Sequence, residues 1–484
     1  MASDSVKRVV IIGGGISGLA AAHHIVERSR ECPGSLEVLL LEASAHLGGV
    51  IRTLRRDEFL LESGPDAFIS EKPEALDLVR RLGLEANLIE TNIAHRRSFI
   101  ARGQKLLPVP EGFQLLAPSR FLPFLTSDIF SWPGKARIAL DLLLPRRSQS
   151  NGRDDESLAA FVRRRLGQEA LDRMAQPMIG GIYTADPELL SLRATMPRFL
   201  EMEREYRSLL RALWHARRKQ TRAEASGTSG ARYSLFLSLD GGMQMLTDRL
   251  RERLPVDSIQ LNTRAESMSF DRQAKKWSVR TQPDEVINAD AVCLALPAHA
   301  AASLVRGLDA KLADELDAVP YASTATVNLA YRLEDIPHSL DGFGFVVPFI
   351  EKRATLACTF SSVKFAGRAP AGHVLLRAFV GGALQPEMFA LDEDAMILAV
   401  RKDLRELLGI ESQPLFAIVE KWPRSMAQYH VGHLDKIQRI RDLLAALSNL
   451  QLAGNAYGGA GIPDCIRSGE TASDSIAKAI FESH

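Results

Sequence analysis

Cysteine is scarce: Cys32, Cys293, Cys358 and Cys465 are the only four in 484 residues, and no two form a C-x-x-C pair. This spacing supports neither a disulfide framework nor a metal site, so the thiols are read as reduced and mostly buried, as suits a cytoplasmic chain. An excess of charge is lacking as well. The net charge of +1 excludes an electrostatic case for nucleic acid. Long apolar runs are missing: the longest, around residues 9–22 and 291–305, carry glycine or proline and are too short to span a bilayer. The first apolar run begins close to Met1, which leaves no room for a cleaved leader. What remains is an ordinary globular composition, 46% hydrophobic and 25% charged, long enough for two or three domains.

The stretch that organises the rest is Val9-Val10-Ile11-Ile12-Gly13-Gly14-Gly15-Ile16-Ser17-Gly18-Leu19. An apolar run feeds a glycine turn and then small apolar residues, which predicts a buried strand, a tight turn and a closely packed helix. Gly13, Gly15 and Gly18 make G-x-G-x-x-G. The first permits the turn, the second admits a pyrophosphate and the third allows strand and helix to pack. Gly14, Ile16 and Ser17 complete the helix start, whose amides suit phosphate. Leu36-Glu37-Val38-Leu39-Leu40-Leu41-Glu42 predicts a second strand ending on an acid, with Ala43 after it. Glu42 lies 24 residues beyond Gly18, close to the spacing of a ribose-binding carboxylate. An ordinary glycine-rich strand–helix turn is the competing reading. Gly48, Gly49 and Arg52 then stand just past the acid. This stretch resembles the flavin amine oxidase-like proteins, in which a G-G-x-x-R-[TS] segment runs along the FAD diphosphate. The resemblance implies that Gly49 and Arg52 do so here.

Farther along, Gly64-Pro65-Asp66-Ala67-Phe68 follows a short strand. It resembles the flavin-edge segment of the oxygen-dependent porphyrinogen oxidases. Residues 73–83 predict a helix with proline at its start and glycine at its stop. Residues 96–108 predict a basic hairpin. The resemblance implies a propionate-holding arginine at its beginning, Arg97 first and Arg96 second, and a guanidinium fork suits a carboxylate. Residues 112–145 are rich in Phe, Leu and Trp, with residues 136–144 expected to be helical. They are read first as the core of a helical subdomain, and alternatively as a membrane-facing surface. Asp154 is expected to cap a helix running to Gly167. Gly180-Gly181-Ile182-Tyr183 followed by D-P-x-x-L-S-x-R resembles backbone lining a porphyrinogen slot, with Gly181 as the contact. Residues 217–232 read as a charged, then Gly/Ser-rich linker. Ala265 stands where the family's backbone meets the adenine side. Residues 321–420 predict alternating strands with a long helix at 393–408, and Phe343, Phe345 and Met388 are candidates to line the slot. Finally, Lys421-Trp422-Pro423-Arg424-Ser425-Met426-Ala427-Gln428-Tyr429 and Gly454 to Pro463 resemble the family's terminal segments. These imply that Trp422, Gly461, Ile462 and Pro463 meet the flavin, with a helix N-terminus favouring its reduced anion. No cysteine sits just after Gly454, where the monoamine oxidases attach flavin covalently, so the resemblance implies noncovalent FAD. His430 and His433 are read as packing residues.

The expected fold is α/β: a Rossmann-like FAD-binding domain (1–90 with 233–300 and 420–484), an α+β substrate domain (91–111 with 301–419) and a helical subdomain (112–232). The implied activity is FAD-dependent oxidation of a porphyrinogen to a porphyrin in heme biosynthesis, with oxygen reduced to hydrogen peroxide. No protein base is assigned. Coproporphyrinogen III is preferred as substrate because Gly461-Ile462-Pro463-Asp464-Cys465 resembles the bacterial members that use it. Protoporphyrinogen IX is the alternative. More remote are another flavin amine oxidase-like enzyme and a non-enzymatic escort protein. The implied setting is cytoplasmic, with peripheral contact at the inner membrane face and a downstream chelatase as further partners. The sequence fixes no oligomeric state.

Overall fold

A computed structural model describes residues 6–31, 36–114, 116–147, 155–225 and 235–481. Cys32, Leu115, Asp154 and the 226–232 part of the expected linker lie outside the described residues. Strands Ile259–Gln260, Leu36–Leu41, Lys7–Ile12, Ala291–Leu294 and Leu450–Leu452 lie side by side in that order, all parallel. A parallel sheet is covered on both faces, which explains why its strands read as continuous apolar runs. Val9, Ile11, Val38 and Leu40 pack with Leu19, Ile466 and Ile476 of helices Ile16–Glu31 and Ile462–Phe481. Val10, Ile12, Leu39 and Leu41 share a core with Trp277, Val279 and Ile287. These three belong to an antiparallel sheet of strands Arg264–Asp271, Lys276–Gln282 and Glu285–Ala289.

A second large sheet has seven strands, in the order Phe416–Ala427, Tyr321–Arg332, His373–Gly381, Thr355–Phe360, Gly344–Val346, Phe99–Arg102 and Lys105–Pro108. Helix Glu393–Leu408, capped by Asp392 and stopped by Gly409 in a left-handed conformation, covers one face. Its Met396, Val400 and Leu404 pack on Val327, Leu329, Leu376 and Ala378. The pleat sends the intervening side chains the other way, toward the hairpin Thr53–Arg56 and Phe59–Glu62. This alternation gives two of the slot candidates the core role that buried aromatic and Met residues usually have: Phe345 is buried in the helix-side core and Met388 packs against that core. It is Val346 that faces outward, next to Gly181. Strand Phe416–Ala427 also runs across the boundary expected at residue 420.

The helical region includes Phe121–Thr126, Trp132–Ala139, Leu158–Arg165, Gln176–Tyr183, Pro197–Tyr206 and Leu209–Ala225. Ser157 caps the third of these by accepting the Ala160 amide. Residues 217–225 belong to the last helix rather than to a linker, because Arg, Lys, Gln and Ala are strong helix formers. Helix Trp132–Ala139 starts earlier than expected, with Ser131 as its cap and Pro133 in its first turn. The Arg165 guanidinium and the Asp141 carboxylate are fully buried together. Arg165 also donates to the Pro145 and Arg207 carbonyls, while Asp141 accepts from Ser208 and the Leu210 amide. Among the described residues no helix is long and apolar enough to cross a membrane, and no cluster suits a metal ion.

Candidate active site

The first strand ends at Gly13, whose φ is +110°. A Cβ there would strike the Ala295 carbonyl, and one at Gly18 would strike the Gly13 carbonyl. Turn and helix can therefore form only with glycine at both positions. Gly15 differs: an added Cβ would meet nothing within 4 Å. Its backbone borders open space at the start of helix Ile16–Glu31, which is what a pyrophosphate cradle requires. Glu42 accepts the Gly14 amide at 2.7 Å and the Ser44 amide at 2.8 Å. Each carboxylate oxygen keeps a further lone pair that can take a ribose hydroxyl. Ala43 is exposed beside it. The Thr263 amide donates to the Glu42 carbonyl, which brings Ala265, at a bulge in its strand, to the same end of the sheet.

Three segments converge next to this cradle. Gly48 bridges Gly15, and a Cβ on Gly49 would lie 3.3 Å from the Gly15 Cα. A Cβ on Gly64 would collide with the Val50 carbonyl. The turn Gly64-Pro65-Asp66-Ala67 thus packs directly on the glycine loop, which packs on the first turn. Arg52 is half-exposed and 3.6 Å from Glu420. Trp422 donates its indole N–H to the Ser63 carbonyl at 2.9 Å. Helix Ile462–Phe481 begins just after Gly461, with Ile462 and Pro463 buried. In its first turn Asp464 is buried and paired with Lys72 at 2.6 Å and Arg467 at 2.5 Å.

The polar face of the seven-stranded sheet meets this group of segments, and its electrostatics are set by burial and by cations. Burial pushes the Glu62 carboxyl up to about 7, although the Met243 amide and Thr53 hydroxyl donate to it. Burial would raise Asp66 too, but Lys364 at 3.0 Å and Arg377 outweigh it and hold this carboxyl well below the usual range. Burial lowers His433 to about 4. Its ring stacks on Tyr429 and its Nε2 lies 3.0 Å from the Ala456 carbonyl, a packing role.

Against strand Gly344–Val346 of this sheet, Gly181 is exposed in helix Gln176–Tyr183, where an added Cβ would lie 3.8 Å from Val346. The Gln176 side chain accepts the Phe349 amide and ties this helix to the sheet. A π-turn at Leu171–Ala175 precedes it. Arg97 and Arg96 are both exposed, upstream of strand Phe99–Arg102. Arg97 pairs with Asp341 at 3.0 Å. Lys72, Lys364 and Arg377 were not foreseen. The signal for Arg377 was a lone arginine inside Val374-Leu375-Leu376-Arg377-Ala378-Phe379. Lys72 and Lys364 carry no comparable pattern.

The profile of the family described as flavin containing amine oxidoreductase matches residues 16–477. Coproporphyrinogen III oxidase of Bacillus subtilis (strain 168) is 35% identical over 482 residues, covering 99% of this chain and all of that protein. The enzyme of the same name from Propionibacterium freudenreichii subsp. freudenreichii is 35% identical, covering 97% and 91%. A crystal structure described as a protoporphyrinogen oxidase, from Exiguobacterium sp. 255-15, superimposes with a TM-score of 0.85 at 31% identity over all of both chains.

Proposed function

The chain belongs to the flavin containing amine oxidoreductase family, and from that premise we propose that it oxidises coproporphyrinogen III to coproporphyrin III. One observation carries the choice of substrate: two bacterial coproporphyrinogen III oxidases match it at 35% identity over nearly its full length. One porphyrinogen and three O2 give one porphyrin and three H2O2, which balances six electrons and six hydrogens. FAD, when bound, would supply the two-electron acceptor chemistry, with oxygen as the final oxidant.

Gly13 to Gly18, Glu42, Ala43, Gly49 and Arg52 would hold the adenosine and diphosphate portions, with Ala265 on the adenine side. Gly64 to Ala67, Trp422 and Gly461 to Pro463 would border the flavin ring. The helix beginning at Ile462 directs its positive end toward developing negative charge. FAD is held noncovalently, since Asn455 and Ala456 follow Gly454. Gly181 and Val346, side by side, would line one part of the macrocycle slot, and Arg96 and Arg97 would meet its propionates. Arg97 is already paired with Asp341, whereas Arg96 has no ion pair or hydrogen bond among the described residues. Leu122, Trp132 and Leu143 are each more than 70% exposed and support peripheral contact with the inner membrane face. The product then awaits metal insertion by a chelatase.

The test is porphyrin fluorescence in air with each porphyrinogen. Faster conversion of coproporphyrinogen III is expected. A preference for protoporphyrinogen IX would move the enzyme to the later step, and a yellow protein inert to both would overturn the assignment.

A further inference from the structure

The hairpin end Glu62-Ser63-Gly64 meets the seven-stranded sheet on the face turned away from helix Glu393–Leu408, the crease side, through a dense set of hydrogen bonds. Four side chains from three adjacent strands converge on three consecutive carbonyls. Thr326 Oγ1 and Trp422 Nε1 both donate to the Ser63 carbonyl at 2.9 Å. Arg377 Nη1 donates to the Gly64 carbonyl at 2.8 Å and, at 3.3 Å, to that of Glu62. Asn328 Nδ2 reaches the same Glu62 carbonyl at 3.4 Å. The other end of Arg377 lies 3.7 Å from Asp66, which Lys364 also holds. Ser238 donates to the Asp66 carbonyl at 2.6 Å.

Two features make this more than domain cement. With the carbonyls of residues 62–64 turned toward the sheet, those peptide planes are fixed. The N–H groups of Gly64, Asp66 and Ala67 find no acceptor among the described residues. Backbone donors at a partly buried turn are normally satisfied, so this turn presents its donors to something other than the protein. In addition, Ser63 Oγ, Asn328 Oδ1 and Arg377 Nε are buried in this junction without a partner, so it holds bonding capacity that the chain does not use.

We infer that Arg377, with Thr326 and Asn328, is a positioning unit: it locks the turn Gly64–Ala67 so that its amides face the flavin ring, and holds a cation beside that ring. The inference rests on the flavin reading of the site. The pleat gives its origin. Val327, Leu329, Leu376 and Ala378 are committed to the helix-side core, so Thr326, Asn328 and Arg377 must emerge on the crease side.

The test uses the full-length protein, stripped of flavin and titrated with FAD, in Arg377→Met, Arg377→Lys and Thr326→Val. Arg377→Met is expected to weaken FAD binding at least tenfold, to lower the midpoint potential of the bound flavin and to alter its visible spectrum. The kcat should fall with KM nearly unchanged. Arg377→Lys should restore the potential more than the spectrum, because it returns the charge without the two-carbonyl fork. Thr326→Val should change the spectrum alone, and it carries the positional test should Arg377→Met not fold. Gly15→Ala, which meets no protein atom and takes part in none of this junction's hydrogen bonds, separates the two readings. If Gly15→Ala weakens FAD but the Arg377 and Thr326 variants leave affinity, spectrum and potential unchanged, the positioning role is overturned. If wild-type protein takes up no FAD, or Gly15→Ala has no effect, the flavin reading itself fails.

Discussion

Glu62 is the residue whose environment makes the sharpest claim. Burial lifts its carboxyl from 4.5 to about 7, so the folded state holds a proton that the unfolded chain has released. Its contribution to stability is fully present below about pH 4.5 and is lost as pH rises through 7. The span corresponds to something on the order of 3 kcal/mol. Glu62→Gln keeps the shape and removes the proton. Denaturant unfolding at pH 5 and pH 8 should show wild-type stability falling across that interval and the variant nearly flat. Asp66 works in the opposite direction. Its depressed carboxyl contributes stability above the unfolded range that is lost at strongly acid pH. Glycines make a second residue-scale contrast. Gly18→Ala drives a Cβ into the Gly13 carbonyl and should lower both melting temperature and flavin content. Gly15→Ala meets no protein atom and should leave the unfolding free energy of flavin-free protein within about 0.5 kcal/mol of wild type, while weakening FAD tenfold or more, about 1.4 kcal/mol.

Among the elements, the helical region depends on one ionic knot. Arg165 leaves helix Leu158–Arg165 to meet Asp141, with neither side chain exposed. Truncating one partner strands the other charge in a dry interior. Arg165→Met should therefore cost about 3–5 kcal/mol, read by chemical denaturation. Asp141→Asn with Arg165→Met together should recover part of it, since the loss comes mainly from the orphaned carboxylate. Helix Gln176–Tyr183 is held differently, by neutral side-chain bonds: Gln176 accepts the Phe349 amide and Gln428 donates to the Tyr183 carbonyl. Gln176→Ala should raise KM for the porphyrinogen without changing the flavin spectrum, because Gln176 fastens the Gly181 end of the slot to the sheet and bonds none of the residues proposed to meet the flavin.

For the whole molecule, the proposed cofactor segments come from residues 13–18, 42–52, 64–67 and 461–463, far apart in the chain and adjacent in space. A ligand gripped by all of them ties the N-terminal strand to the C-terminal helix. FAD at 100 times its dissociation constant should stabilise the fold by about 2.7 kcal/mol, visible as a higher melting temperature for the yellow protein than for the colourless one. The helical region divides the large apolar side chains of residues 112–145. Leu116, Phe124, Ile129 and Phe130 are core, while Leu122, Trp132 and Leu143 are exposed. If the exposed set meets lipid, Leu122→Asp with Trp132→Ser should abolish co-sedimentation with anionic vesicles and leave turnover in solution unchanged.

The sequence by itself determined what local pattern can encode. The glycine turn, Glu42 after the second apolar strand and helix Glu393–Leu408 were legible because each is a short run with its own period or spacing. The flavin family was legible through motifs at both ends of the chain. Tertiary structure decided which faces those elements present. Phe345 and Val346 are neighbours in sequence, yet one is core and the other faces Gly181. Arg377 and Asp66 are 311 residues apart, and only the docking of the turn after Glu62 on the sheet face that carries Thr326 and Arg377 brings them together. A pleat with a period of two makes that choice wherever one face is claimed by a helix. The linear pattern does not say which face will be claimed.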